Sequence, residues 1–129
     1  MYRYRDNASG TEASLRAMKH LPKLGRITKI RGYRYHGKDG VSQIAVMVHG
    51  ENGTVRFRGF SWGYSGQGCR GLQTLFNHLG VPSEKSLIVM ALAWPEFHGP
   101  AHEFWSIDLN QEYVPVCNLT FFLWRRTAA

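Results

Sequence analysis

Cysteine is scarce. Cys69 and Cys117 are the only two in 129 residues, with no CxxC and no framework spacing. That excludes a disulfide scaffold and points to two reduced thiols in a cytosolic protein. Acid is scarce too: nine Asp and Glu stand against sixteen Lys and Arg, leaving +7. Eleven of those sixteen are Arg, the residue suited to bidentate phosphate contacts. Long apolar runs are missing. The longest, Leu87 to Trp94, falls far short of the roughly 20 residues a membrane helix needs. The opening MYRYRDNASG has no apolar stretch of the secretory kind, so a cytoplasmic protein with no membrane partner is expected. The sequon Asn118-Leu119-Thr120 then has no use.

What is present suffices for a core. The chain is 43% hydrophobic and 13% aromatic, and a single domain over residues 1–129 is expected. The charge favours polyanions, nucleotides or an acidic protein as partner without choosing among them.

The pattern predicts an α+β fold: an antiparallel β-sheet of five to seven strands, open to division into two packed sheets. Residues 1–10 read as loose. Ser9-Gly10-Thr11-Glu12 fits a capping box ahead of a short helix over 11–21, with Leu15, Met18 and Leu21 on one side and Pro22 as its limit. Residues 26–35 alternate as a strand that puts Lys29, Arg31, Tyr33 and Tyr35 on one face. Val41 to Phe60 reads as a hairpin closed by Asn52-Gly53. That turn sets Glu51 opposite Thr54, Val48 opposite Phe57 and Val46 opposite Gly59. One face is then aliphatic. The other carries Ala45, Met47, His49, Arg56, Arg58 and Phe60 outward. Leu72, Leu75, Phe76 and Leu79 predict the main helix, ended by Gly80 and Pro82. Ser86 to Trp94 reads as a central strand, 103–109 as another, and 113–124 as β-prone.

Thr54 to Gly80 carries the candidate site: a strand, the loop SWGYSGQG, then a helix. Amides at a helix N-terminus attract anions. Gly66 and Gly68 let backbone approach a ligand closely, Arg56, Arg58 and Arg70 supply charge, and Trp62 and Tyr64 supply flat rings. Anion plus ring describes a nucleotide. A tight structural corner with core aromatics is the other reading of the same residues. Gly66-Gln67-Gly68-Cys69-Arg70-Gly71 matches GxGxxG, but it follows an antiparallel hairpin and not a parallel βαβ unit, which argues against a dinucleotide fold. Arg125 and Arg126 are either a polar tail or groups that reach a neighbouring subunit's pocket. Six histidines offer no zinc-type spacing, and neither a carboxylate pair nor a nucleophile elbow stands out. No metal, no cofactor and no catalytic set is therefore expected.

The segment GFSWGYSGQGCRGL, Gly59 to Leu72, resembles an F-x-W-G-Y-x-G-x-G-P-x-x-L pattern of small phage and plasmid proteins. It is similar in the same way to the phage Thoeris anti-defence sponges that sequester cyclic ADP-ribose signals. Cys69 stands where the pattern has Pro, and the likeness covers only the loop and its flanks. The resemblance implies a non-catalytic homo-oligomer that binds a small cyclic nucleotide in pockets lined by arginines and an aromatic. By chemistry rather than matched positions, Trp62 or Tyr64 would stack the base, and Arg56, Arg58 or Arg70 would hold the diphosphate. Two other classes compete: a basic interaction module acting on nucleic acid or an acidic host protein such as a nuclease, and a small nucleotide-processing enzyme.

Overall fold

The chain begins with an edge strand, not a loose tail. Tyr2-Arg3-Tyr4-Arg5 alternates ring and charge, the period of a strand with one buried face. A computed structural model describes residues 1–7 and 10–111. In order they form β1 (Tyr2–Arg5), α1 (Thr11–Ala17), a 3-10 helix (Met18–Leu24), β2 (Ile27–His36), β3 (Ser42–Gly50), β4 (Gly53–Phe57), α2 (Gln67–Leu79), α3 (Ser83–Met90) and β5 (His102–Gln111).

The five strands make one sheet in the order β1-β4-β3-β2-β5. It is mixed, because β1 pairs parallel with β4 while the remaining neighbours are antiparallel. The α+β class holds. The purely antiparallel sheet expected from the sequence does not, because the first residues join it. Among the described residues there is one sheet, not two.

The aliphatic face of the hairpin lies in the core as expected, but Ala45 and Met47, expected outward, are buried on the opposite face, and the register is offset. Val48 pairs with Val55 and Val46 with Phe57, so Glu51-Asn52 is the turn and Gly50 meets Gly53. Sliding by two keeps every side chain on its face. The cause lies outside the hairpin. Gly53 sits at φ 154, and a Cβ there would collide with the Tyr2 carbonyl. Tyr2 N–H donates to the Asn52 carbonyl at 2.8 Å, and Glu51 and Asn52 N–H donate to the Arg26 and Leu24 carbonyls at 2.9 and 3.0 Å. Tertiary partners on both sides hold the tip, so local turn preference does not decide it.

Two helix expectations change as well. Of the expected strand Ser86 to Trp94, residues 86–90 belong to helix α3 and the rest to the connection that follows it. Pro82 takes the helix's N-cap position and Glu84 its first turn, signals that outrank a short apolar run whose periodicity is ambiguous. The first helix is shorter than expected. Gly10 is its N-cap with no side-chain cap, Pro22 lies inside the following 3-10 helix, and Ser9 is outside the described residues. The expected strand at 113–124 is outside them too.

The helices contribute to one apolar layer against one face of the sheet. Met18, Leu21, Leu24, Leu72, Leu75, Phe76, Leu79 and Val89 meet Ile30, Val46, Val48, Val55, Phe57, Trp105, Ile107 and Leu109 there. Each such side chain stabilises by roughly 1.5–3 kcal/mol when fully buried. The opposite face carries only a small cluster of Tyr33, Ala45 and Met47, with Tyr35 against it. That face bears the charge. In β1, Arg3 and Arg5 pair in register with Thr54 and Arg56 of β4, while Tyr2 and Tyr4 pack on the main core.

Candidate functional site: an arginine hollow beside an aromatic crevice

Arg56 is the central cation. It was expected on an exposed surface, yet it is 7% exposed. Its guanidinium lies 4.6 Å over the Tyr35 ring, and Nη2 donates to Asn7 Oδ1 at 3.2 Å. The Nε is buried without a partner, and no carboxylate among the described residues forms an ion pair with it. A buried charge that lacks an opposite charge is costly.

Arg56 lines a hollow of about 760 Å³. Arg3, Arg5, Lys38 and Arg58 line it too, with Asp39 as the one carboxylate among the described residues there. Tyr35 and His36 supply rings to the same wall. The sheet explains the convergence. Arg3 and Arg5 of β1 share a face with Arg56 of β4, and the β2–β3 connection brings Lys38 and Asp39 across the end.

Arg58 sits where this hollow meets a second one. It donates from Nη1 to the Asn7 carbonyl at 2.9 Å and from Nη2 to Gln43 Oε1 at 2.6 Å. Its backbone is fixed from below. Ser14 Oγ donates to Asp6 Oδ2 at 2.5 Å and accepts the Gly59 N–H at 2.7 Å, and Asp6 N–H donates to the Arg56 carbonyl at 3.0 Å. Thr11 Oγ1 adds a bond to the Gly59 carbonyl at 2.9 Å.

The second hollow, about 400 Å³, shares Arg58 and Gln43 with the first. Its walls are aromatic: Phe60, Tyr64, Trp94 and Phe97. Tyr64 and Trp94 stack with centroids 4.7 Å apart at 30°. Trp94 and Phe97 are 56% and 47% exposed, unusual for rings of that size and available to a flat ligand. Ser61 Oγ, on the wall, is buried without a partner.

The sequence-predicted residues divide. Arg56, Arg58, Tyr64 and Gly68 line the two hollows. Gly66 does not line either but lies under Tyr64, whose ring occupies the space a Cβ would need. That ring packs over the start of α2, whose first two residues, Gln67 and Gly68, line the second hollow. Trp62 is fully buried, with Phe104 and Trp105 at 5.8 and 5.4 Å from its ring. It is a core side chain and presents no face to a ligand. Phe60 is also buried and not outward. Arg70 is exposed on α2 and lines neither hollow. Arg125 and Arg126 lie outside the described residues. Sequence reasoning missed Arg3, Arg5 and Lys38, and also Trp94 and Phe97. The Tyr-Arg alternation was the available signal for the first two.

On the same sheet face, Arg31 lies 4.2 Å over Tyr33 and its Nε donates to His49 Nε2 at 2.9 Å. Burial raises the Tyr33 hydroxyl's pKa against the pull of Arg56 and Arg31. Burial first, then Arg31 and Lys29, lower that of His49, against an opposing pull from Glu103.

Among the described residues, no three His, Cys, Asp or Glu group as metal ligands, and no helix is long and apolar enough to cross a membrane. Comparison with family models, curated proteins and solved structures finds nothing similar to this chain.

Proposed function

We propose that this protein captures a small cyclic nucleotide of the cyclic ADP-ribose type and holds it without turnover, as a phage-type anti-defence sponge. The observation that carries the reading is a buried guanidinium, Arg56, whose Nε has no partner and which meets no carboxylate in an ion pair among the described residues, in a cation-lined hollow that adjoins an aromatic crevice through Arg58. Phosphates would lie among Arg3, Arg5, Arg56 and Arg58, as charge-assisted contacts. The base would lie against Tyr64 and Trp94, where a stack contributes about 1–3 kcal/mol. Capture of this kind needs a preformed pocket and no transition-state site. On this reading the protein works as a homo-oligomer in the cytoplasm of an infected host.

Native mass spectrometry against a panel of cyclic nucleotides tests the proposal and counts subunits in the same spectrum. One ligand should bind per site and be recovered intact after denaturation. A chemically altered ligand would make the protein an enzyme. Failure of the whole panel would remove the reading.

A second reading has its own support. The arginine hollow shares the sheet face with Lys29, Arg31 and Tyr33, which extends the positive surface beyond what one small ligand covers. A basic module on nucleic acid or an acidic host protein would show affinity falling steeply with salt.

A further inference from the structure

The aromatic crevice has a wall made of loop. Trp94 and Phe97 belong to the connection between α3 and β5, and neither is held by burial in the main core. A ring-binding wall must be fixed before the ligand arrives, or ordering it subtracts from affinity.

Arg34 supplies a fixing point. It projects from β2 and is 6% exposed. Nη1 donates to the Glu96 carbonyl at 2.7 Å and Nε to the Pro100 carbonyl at 2.9 Å. The guanidinium also lies 5.3 Å over the Phe104 ring, at the start of β5. One rigid planar group therefore joins both ends of the segment 96–100 to the sheet. Its partners are carbonyl dipoles and a ring, and no carboxylate among the described residues pairs with it. Neutralising an acid is not its task. The loop is shaped to admit it: Gly99 has φ 119, and a Cβ there would stand 2.8 Å from Arg34 Nη2. A lysine offers one point charge in place of the planar fork.

We infer that Arg34 is a positioning residue for the ring-binding crevice. It touches no ligand and acts by holding the loop that carries Trp94 and Phe97. The inference rests on the proposed crevice and adds a residue that neither hollow contains.

The test uses the full chain with 5-fluorotryptophan, the Trp94 resonance being assigned with Trp94→Phe. In Arg34→Met the Trp94 line should shift or broaden while the far-ultraviolet circular dichroism stays that of wild type. Arg34→Lys should fall between. Gly99→Ala, which leaves Arg34 intact and crowds it, covers the case in which Arg34→Met fails to fold. In titrations, affinity for cyclic ADP-ribose should drop by about tenfold in Arg34→Met while affinity for inorganic pyrophosphate stays within about twofold. An unmoved Trp94 line in both Arg34→Met and Gly99→Ala overturns the inference, as does an equal loss for both ligands. A moved line in a protein whose wild type takes pyrophosphate but no ring ligand supports the strut and removes the nucleotide reading instead.

Discussion

The Arg56 guanidinium rests on the Tyr35 ring at 4.6 Å, and its only described hydrogen-bond partner is the Asn7 side chain. Such an arginine is a poor contributor to stability. Replacing a buried charge by an apolar chain of similar length is often neutral or stabilising. Arg56→Met should therefore keep or raise the melting temperature of the free protein. The same variant should lose the stabilisation that wild type gains from pyrophosphate, about 2.7 kcal/mol at a hundredfold excess over Kd. Thermal melts with and without pyrophosphate check both halves. A variant that melts lower and still responds to pyrophosphate would make Arg56 structural.

Trp62 and Tyr64 are two residues apart and should behave oppositely. Trp62 is fully buried, so Trp62→Ala should destabilise by about 3–5 kcal/mol. Tyr64 is 38% exposed and stacks on Trp94, so Tyr64→Ala should leave the fold standing and weaken ring binding by about 1–3 kcal/mol. Chemical denaturation and ligand titration on both variants separate the roles. Equal stability losses would return Tyr64 to the core.

Those two residues also show where the sequence was legible. Alternation and helical spacing identified the inward faces of the hairpin, α2 and β5, because one-sided burial writes a period into the chain. It could not tell Trp62 from Tyr64, since ring depth in a glycine-rich corner depends on Phe104 and Trp105, some 40 positions away. The candidate site was half legible. Arg56 and Arg58 were named, but as outward residues flanking the loop. Their setting depends on a parallel strand from the first residues, which a short Tyr-Arg alternation signals only weakly. Trp94 was hidden by an apolar run that suits strand and helix alike.

Gly53 tests that parallel strand. A side chain there meets the Tyr2 carbonyl, at a φ of 154 that other residues rarely adopt. Gly53→Ala should cost about 1–3 kcal/mol and loosen β1 selectively. Hydrogen exchange should rise at Tyr2 and Asp6, whose amides bond to Asn52 and Arg56, while β2 and β3 stay protected. Pyrophosphate affinity should fall with it, because Arg3 and Arg5 ride on that strand. Loosened β1 with undiminished affinity would show that those two arginines lie outside the anion site.

His49 makes stability depend on pH. Burial, with Arg31 and Lys29, holds its pKa below the ordinary 6.5 in the folded state. The unfolded chain then binds the proton more readily, so the contribution is complete above 6.5 and declines as pH falls from there toward the folded value. Protonation also removes the ring nitrogen that accepts from Arg31 Nε. His20, lowered by burial and then by Lys19 and Lys23, adds to the same slope. Melting temperature should therefore drop between pH 7.5 and 5.5, and His49→Gln should flatten part of that drop while the His20 share remains. An unchanged slope in His49→Gln would show that this imidazole protonates as easily folded as unfolded.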